Sequence, residues 1–336
     1  MQKKQSINGR ILYTSGQALY LSRGPNIYHS YDGGENWHLW VKFPVSLWAR
    51  FAMYVPILVR FFRLGVHHLT FVGDKAVAIV NKKSFLVERN RVISLGSLCG
   101  SRPLVLCATN DAVYYGEYRS NSERMPVHIW MLNFTTLQWQ SIWTFDDVRH
   151  VHGVFYDQFT ETIWVTTGDS NEESAIWCTA DCFATLEKIK GGAQQFRAVQ
   201  LLFSNDYIYF GSDAPDQQNH IYRIDRSNNE LNCLVSVGGP VFFGCRVGGS
   251  LCFSTSVEPS SVNTAPFVEI WRTVNGESWE RILQFKKDRY PMKYFQYGQV
   301  FFPNGPSVEN ILFCTPFATK SHGLTFKYTL DKVNKS

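Results

Sequence analysis

His150-Val151-His152-Gly153-Val154-Phe155-Tyr156, Thr162-Ile163-Trp164-Val165-Thr166-Thr167, Ala175-Ile176-Trp177-Cys178 and Thr185-Leu186-Glu187-Lys188-Ile189 are four short apolar runs within Arg149 to Gly192. Asp157 to Thr160 makes a turn between the first two, and a polar loop parts the second from the third. Runs of this length, rich in β-branched and aromatic residues and bounded by turn residues, read as strands. The next stretch repeats the pattern with Arg197 to Phe203, Tyr207 to Phe210, His220 to Arg223 and Leu231 to Val235. Comparable units fall at 10–43, 68–97, 103–145, 240–286 and 291–330. A four-strand unit recurring about every 40 to 50 residues is a propeller blade. The fold class expected is therefore all-β, a β-propeller of about seven blades, each four-stranded and antiparallel. A β-sandwich has similar strand density, but it does not repeat loop residues as Thr167-Gly168-Asp169 and Gly211-Ser212-Asp213 do.

Composition agrees. Aromatic residues make up 15% of the 336, a share that suits half-buried pleated surfaces. The whole chain, 1–336, reads as one domain with an insertion at 44–67. A formal charge of +5 is too small and too dispersed for a nucleic-acid partner. The eight cysteines show no zinc spacing and mostly lie in apolar runs, so reduced thiols are expected and neither metal nor cofactor is. Met1 to Arg10 holds no apolar stretch of signal-peptide length, and the expected location is the cytoplasm.

Ser30-Tyr31-Asp32-Gly33-Gly34-Glu35-Asn36-Trp37 fits the pattern Ser-x-Asp-x-Gly-x-x-Trp between a third strand, Asn26 to Ser30, and a fourth, Trp37 to Val41. An Asp carboxylate satisfies the N–H groups of such a turn, Gly supplies positive φ, and Trp is buried beneath the hairpin. Thr273-Val274-Asn275-Gly276-Glu277-Ser278-Trp279 is a second copy, and Thr179-Ala180-Asp181 is a remnant without the Gly and Trp. On these motifs the chain resembles the Asp-box, or bacterial neuraminidase repeat, propellers. That superfamily includes sialidases, other glycosidases, some polysaccharide lyases and purely structural assembly factors. The resemblance implies a sialidase-like fold and a glycan-active protein, a glycoside hydrolase or polysaccharide lyase, with a non-catalytic glycan-binding or scaffold propeller as the alternative. The Arg-Ile-Pro signature of sialidases does not occur in this sequence.

In a propeller, the loops that lead into each inner strand and those joining second to third strands share one face around the channel mouth. First-strand starts bring Arg149, His150, His152, Arg197, Tyr294 and Gln296 there. Second-strand ends bring Glu117, Asp169, Asp213 and Glu258, with Glu172, Glu173, Asn219 and His220 beyond. Acid/base work on a sugar needs such a convergence. His150, Asp169, Asp213 and Glu258 are the candidate catalytic groups. Arg149, His152, Arg197, Asn219, His220, Tyr294 and Gln296 are the candidate substrate contacts. His150 and His152 share a strand face, and three readings stand for the pair: metal ligands, a general base with its partner, or two hydrogen-bonded channel histidines. Arg149 and Arg197 either hold an anionic group or form salt bridges to these acids.

Residues 46–66 break the strand pattern. No acid occurs from Asn36 to Gly73, while Lys42, Arg50, Arg60 and Arg63 punctuate an apolar run. Arg50, Pro56 and Arg60 argue against a spanning helix. Two short helices about Pro56 are expected instead. They would lie on a membrane surface, with Arg50, Arg60 and Arg63 on anionic lipid and Trp48, Phe51, Phe61 and Phe62 below. The rival is packing on the propeller or a homo-oligomer contact. The expected partners are a saccharide or lipid-linked glycan, in polysaccharide biosynthesis, and the inner face of the cell membrane.

Overall fold

The computed structural model describes residues 2–331, which form seven four-stranded antiparallel sheets, each a blade of a β-propeller. Strand β1 (Gln2–Asn8) belongs to the last blade. The first blade is β2 (Arg10–Thr14), β3 (Leu19–Arg23), β4 (Asn26–Ser30) and β5 (His38–Lys42). Helices α1 (Leu47–Ala52) and α2 (Pro56–Phe62) follow it. The second blade is β6 (Val66–Val72), β7 (Lys75–Val80), β8 (Lys83–Glu88) and β9 (Arg91–Ser97). The third is β10 (Leu106–Ala108), β11 (Val113–Gly116), β12 (Val127–Asn133) and β13 (Gln138–Phe145). The fourth is β14 (His150–Asp157), β15 (Thr162–Gly168), β16 (Ala175–Thr179) and β17 (Glu187–Gly191). The fifth is β18 (Ala198–Phe203), β19 (Tyr207–Ser212), β20 (Asn219–Asp225) and β21 (Leu231–Val237). The sixth is β22 (Val241–Val247), β23 (Ser250–Thr255), β24 (Phe267–Thr273) and β25 (Glu280–Lys286). A short helix, α3 (Met292–Phe295), precedes the seventh, which runs β26 (Gln299–Phe301), β27 (Ile311–Phe317), β28 (Leu324–Thr329) and then β1.

The blade boundaries follow the repeat read from the sequence, with one correction. The seventh blade is not self-contained within 291–330. Its inner strand starts only at Gln299, and its outer strand is β1, which pairs with β28 from Gln2↔Thr329 to Asn8↔Leu324. Residues 291–296, expected to begin an inner strand, form α3 because Pro291 and positive φ at Gln296 bound a helical turn.

Cores lie between neighbouring blades. Phe43, Phe85, Leu69 and Ala78 join the first to the second, and Phe43 meets Phe85 at 5.2 Å. Fully burying a side chain of this kind contributes about 1.5–3 kcal/mol. Close approach at the ring's centre depends on glycines at second-strand ends. A Cβ on Gly116 would come within 2.2 Å of Val151 in the next blade, and one on Gly211 within 2.4 Å of Val241. Gly168 plays the same part beside His152 and Arg197.

The three motif-bearing hairpins lie between third and fourth strands and share one hydrogen-bond scheme. Asp32 Oδ1 accepts from the Ser30 hydroxyl at 2.7 Å and from the N–H groups of Glu35 and Asn36, both at 3.0 Å. Asn275 Oδ1 accepts from Glu277 and Ser278 N–H. Asp181 Oδ1 accepts from Thr179 Oγ1 and Thr185 N–H. Phe183 is buried below this last turn, where the other two have Trp37 and Trp279.

The insertion forms two helices about Pro56, which occupies the first turn of α2 without losing a helical hydrogen bond. Ser46 caps α1 by accepting from Ala49 N–H at 3.2 Å. Among the described residues no helix is long and apolar enough to cross a membrane. Leu47, Trp48, Phe51, Tyr54, Ile57, Phe61 and Phe62 are exposed. Arg60 departs from the expectation. Instead of facing lipid it is 3% exposed, with Nη1 2.6 Å from Asp288 Oδ2 and Nε and Nη2 donating to the Phe295 carbonyl. This guanidinium docks α2 on the segment that carries α3, and Phe61 stacks on Tyr294.

Candidate functional site

Four consecutive blades, the third to the sixth, bring their loops to one mouth of the channel. Inner strand β14 starts with His150 and carries His152 at a bulge, where the ladder skips from Val151↔Thr167 to Gly153↔Thr166. The bulge leaves residue 152 outside the ladder and turns it towards the next blade. There its Nδ1 meets the Ala198 carbonyl at 3.1 Å. His150 Nδ1 meets the Arg119 carbonyl of the third blade at 3.3 Å. The two Nε2 atoms are 3.1 Å apart, and lie 3.2 and 3.3 Å from Asp169 Oδ1 at the end of β15.

Asp169 is also the meeting point of both candidate arginines. Arg149 Nη1 lies 2.9 Å from Oδ2, and Arg197 Nη2 lies 3.1 Å from Oδ1. Arg197 continues to Asp213, its Nε 3.2 Å from Oδ2. Both arginines therefore form salt bridges to these acids. Arg149 nonetheless remains 37% exposed, and its Nε has no hydrogen-bond partner among the described residues.

Environment separates the titration of these groups. Burial raises the Asp169 carboxyl, but the hydrogen bonds from His150 and His152 and the charge of Arg197 outweigh it and hold the group well below the usual carboxylate range. Asp213 is pushed up to about 8, because burial, with Glu258 and Asp169 nearby, outweighs Arg197. Glu258 also rises, mainly by burial. His152 falls to about 4 by burial.

The remaining sequence candidates divide. Glu173 accepts from Asp169 N–H at 2.9 Å, pairs with Arg124 and holds the loop behind the site. Glu117 is buried and lies 3.3 Å from Arg119. Asn219 is fully buried, and its amide bonds Ser212, Ala214 and Asn263, so it builds the fifth blade rather than lining an open surface. His220 contacts Tyr222 on β20. Glu172 is exposed on its loop. Tyr294 and Gln296 lie at α3, beside the helical insertion, and not at a first-strand start. Sequence reasoning missed Tyr118, whose ring lies 4.3 Å from that of His150 and whose hydroxyl burial raises to about 12. It directly follows Glu117 at a second-strand end, the rule that found the acids. Tyr297, next to the inner strand of the seventh blade, hydrogen-bonds Glu258.

No protein-family model matches the chain, and comparison with curated proteins finds no relative. Solved structures are similar in fold. An oligogalacturonate lyase in complex with manganese superposes with a TM-score of 0.60 at 10% identity, over 97% of this chain and 91% of that one. A crystal structure of the mitotic checkpoint complex gives 0.57 at 9% identity, over 98% and 95%. A dihydro-heme d1 dehydrogenase in complex with DHE gives 0.55 at 13% identity, over 94% and 61%. At such identities the likeness is one of fold, and it spans proteins of different chemistry.

Proposed function

We propose that the channel mouth acts on an anionic saccharide, by hydrolysis or by elimination, and that the chain is a glycan-active propeller of the Asp-box kind. The observation that carries this reading is the gathering of His150, His152, Asp169, Asp213, Glu258, Arg149 and Arg197 from neighbouring blades, where burial raises the Asp213 carboxyl while the histidine hydrogen bonds lower that of Asp169. Carboxyls whose environments push their titration apart are the division of labour that glycosidic cleavage uses. Arg149 suits a carboxylate or sulfate on the sugar. The three aspartate- or asparagine-centred turns support the Asp-box assignment.

The exposed apolar row on α1 and α2, with Arg50 and Arg63 exposed beside it and no acid from Asn36 to Gly73, supports apposition to an anionic membrane. Both the insertion and the site lie in loops of the same face, so a lipid-linked saccharide on a cytoplasmic leaflet is the substrate class in view. A second reading, binding without turnover, is favoured by the double pairing of Asp169 to Arg149 and Arg197. Incubation with anionic polysaccharides tests both: new reducing ends alone report hydrolysis, and ultraviolet absorbance of an unsaturated uronate reports elimination. Saturable binding with neither signal selects the second reading. No product and no binding, from a folded chain, would sink both.

A further inference from the structure

We propose that His150 Nε2, His152 Nε2 and Asp169 Oδ1 form a site for one divalent first-row transition-metal ion, of the Zn2+ or Mn2+ kind, with coordination positions open towards the channel mouth. The inference deepens the reading of the same site and rests on that reading only for the use made of the ion.

The geometry is that of a preformed ligand face. The three atoms make a triangle with edges of 3.1, 3.2 and 3.3 Å. The centre of such a triangle lies about 1.85 Å from each corner, so an ion with bonds of about 2.1 Å sits about 1 Å out of the plane. The ligand–metal–ligand angles are then about 100°, between octahedral and tetrahedral values.

Hydrogen-bond accounting leads to the same place. Each imidazole faces oxygen acceptors at both ends: a backbone carbonyl at Nδ1, and Asp169 with the other imidazole at Nε2. A neutral ring carries one N–H, so in either tautomer one lone pair confronts an acceptor. Two imidazolium ions 3.1 Å apart, at 5% and 2% exposure, would repel each other strongly. One proton shared between the two Nε2 atoms would also satisfy the pair, and an ion on the Nε2 side does so without charging either ring. Each Nδ1–H then donates to its carbonyl, which is how metal-bound histidines are oriented. Asp169 Oδ1 has a lone pair for the ion and one for Arg197. Arg197 keeps Asp213 as its second anchor. Three protein ligands leave the remaining positions to water or an anionic ligand oxygen, and Arg149, 37% exposed, lies beside Asp169. Two histidines and a carboxylate suit Zn2+, Mn2+ or Fe2+ better than Ca2+, whose ligands are oxygens.

The test is metal titration of the untagged full chain after chelation, by calorimetry with Zn2+ and Mn2+ and by absorption with Co2+. One equivalent should bind, and the Co2+ bands should lack thiolate charge transfer, which excludes exposed Cys99, Cys182 and Cys233 as ligands. His150→Gln, His152→Gln and Asp169→Asn should each weaken binding by about 100-fold or more, with circular dichroism unchanged. Should a histidine variant fail to fold, Asp169→Asn and the X-ray absorption spectrum of the Zn2+-loaded native chain decide, the latter requiring two imidazoles and no sulfur. Absence of stoichiometric binding, or binding unaltered in folded variants, overturns the site. Metal binding without action on any saccharide would leave this inference standing and remove the functional reading. Turnover by a chain that binds no metal would do the reverse.

Discussion

Replacing Arg60 by Met should loosen the helical insertion without dismantling the ring. The guanidinium gives three hydrogen bonds, one to Asp288 Oδ2 at 2.6 Å and two to the Phe295 carbonyl. Met refills the path of the aliphatic stem, so the loss is mainly polar. Breaking a buried ion pair typically costs about 3–5 kcal/mol, because the partner is left uncompensated. Here Asp288 retains Lys287 Nζ at 2.6 Å and Tyr290 N–H at 3.0 Å, which sets the cost at the lower end, about 3 kcal/mol. All three bonds join α2 to the segment 288–295, and none crosses a blade core, so the cost should fall on local opening. At 1.36 kcal/mol per decade, about 3 kcal/mol is roughly a 150-fold rise in the open population. Hydrogen exchange read by mass spectrometry should show amide protection in 46–66 falling by that order, with β14–β16 unchanged. Unaltered exchange in 46–66, or an equal loss across all blades, would refute the reasoning.

Gly116→Ala should destabilise the ring by about 1–3 kcal/mol through overpacking against Val151, seen as a lower denaturant midpoint with an unchanged slope. Asp213 carries a pH signature. Its folded pKa is raised to about 8, so the folded chain holds a proton that the unfolded chain has released. The associated stability is complete below the ordinary carboxylate pKa and is lost as pH rises through about 8, by no more than about 1.4 kcal/mol per pH unit. Asp213→Asn should flatten that decline when thermal midpoints are compared at pH 5 and pH 8. Serine at Leu47, Trp48 and Phe51 together should abolish co-sedimentation with anionic vesicles while leaving the thermal midpoint within about 2 °C, since all three are exposed. Retained sedimentation would remove the membrane partner.

What the sequence made legible was local. Each blade announces itself by strand alternation and turn residues within a few tens of positions, and Asp32, Asn275 and Asp181 act on N–H groups no more than four residues away. The site was legible where one rule applied, that first-strand starts and second-strand ends share a face, and it gathered His150, His152, Asp169, Arg149, Arg197 and Asp213. Long-range partners were not legible. Arg60 reads as a lipid-facing cation because Asp288 lies 228 residues away. Tyr294 reads as a channel residue because Pro291, the mark at the start of α3, suits a turn or a strand start as well as a helix. Asn219 reads as a sugar contact until Asn263, from another blade, occupies its amide. Gln2 to Asn8 carries lysines and no apolar stretch, and only its pairing with β28 reveals a strand.

That pairing has a consequence for how the molecule is made. Strand β1 waits long for its partner, since β28 is synthesised some three hundred residues later. Until then the seventh blade lacks its outer strand, and Ile7 has no Phe313 to pack against. Blades one to six can condense as they emerge, but the circle locks only when β1 and β28 are both at hand. A nascent chain stalled within the sixth blade would be an open arc with two unprotected flanks, a species for chaperones to hold rather than a smaller propeller.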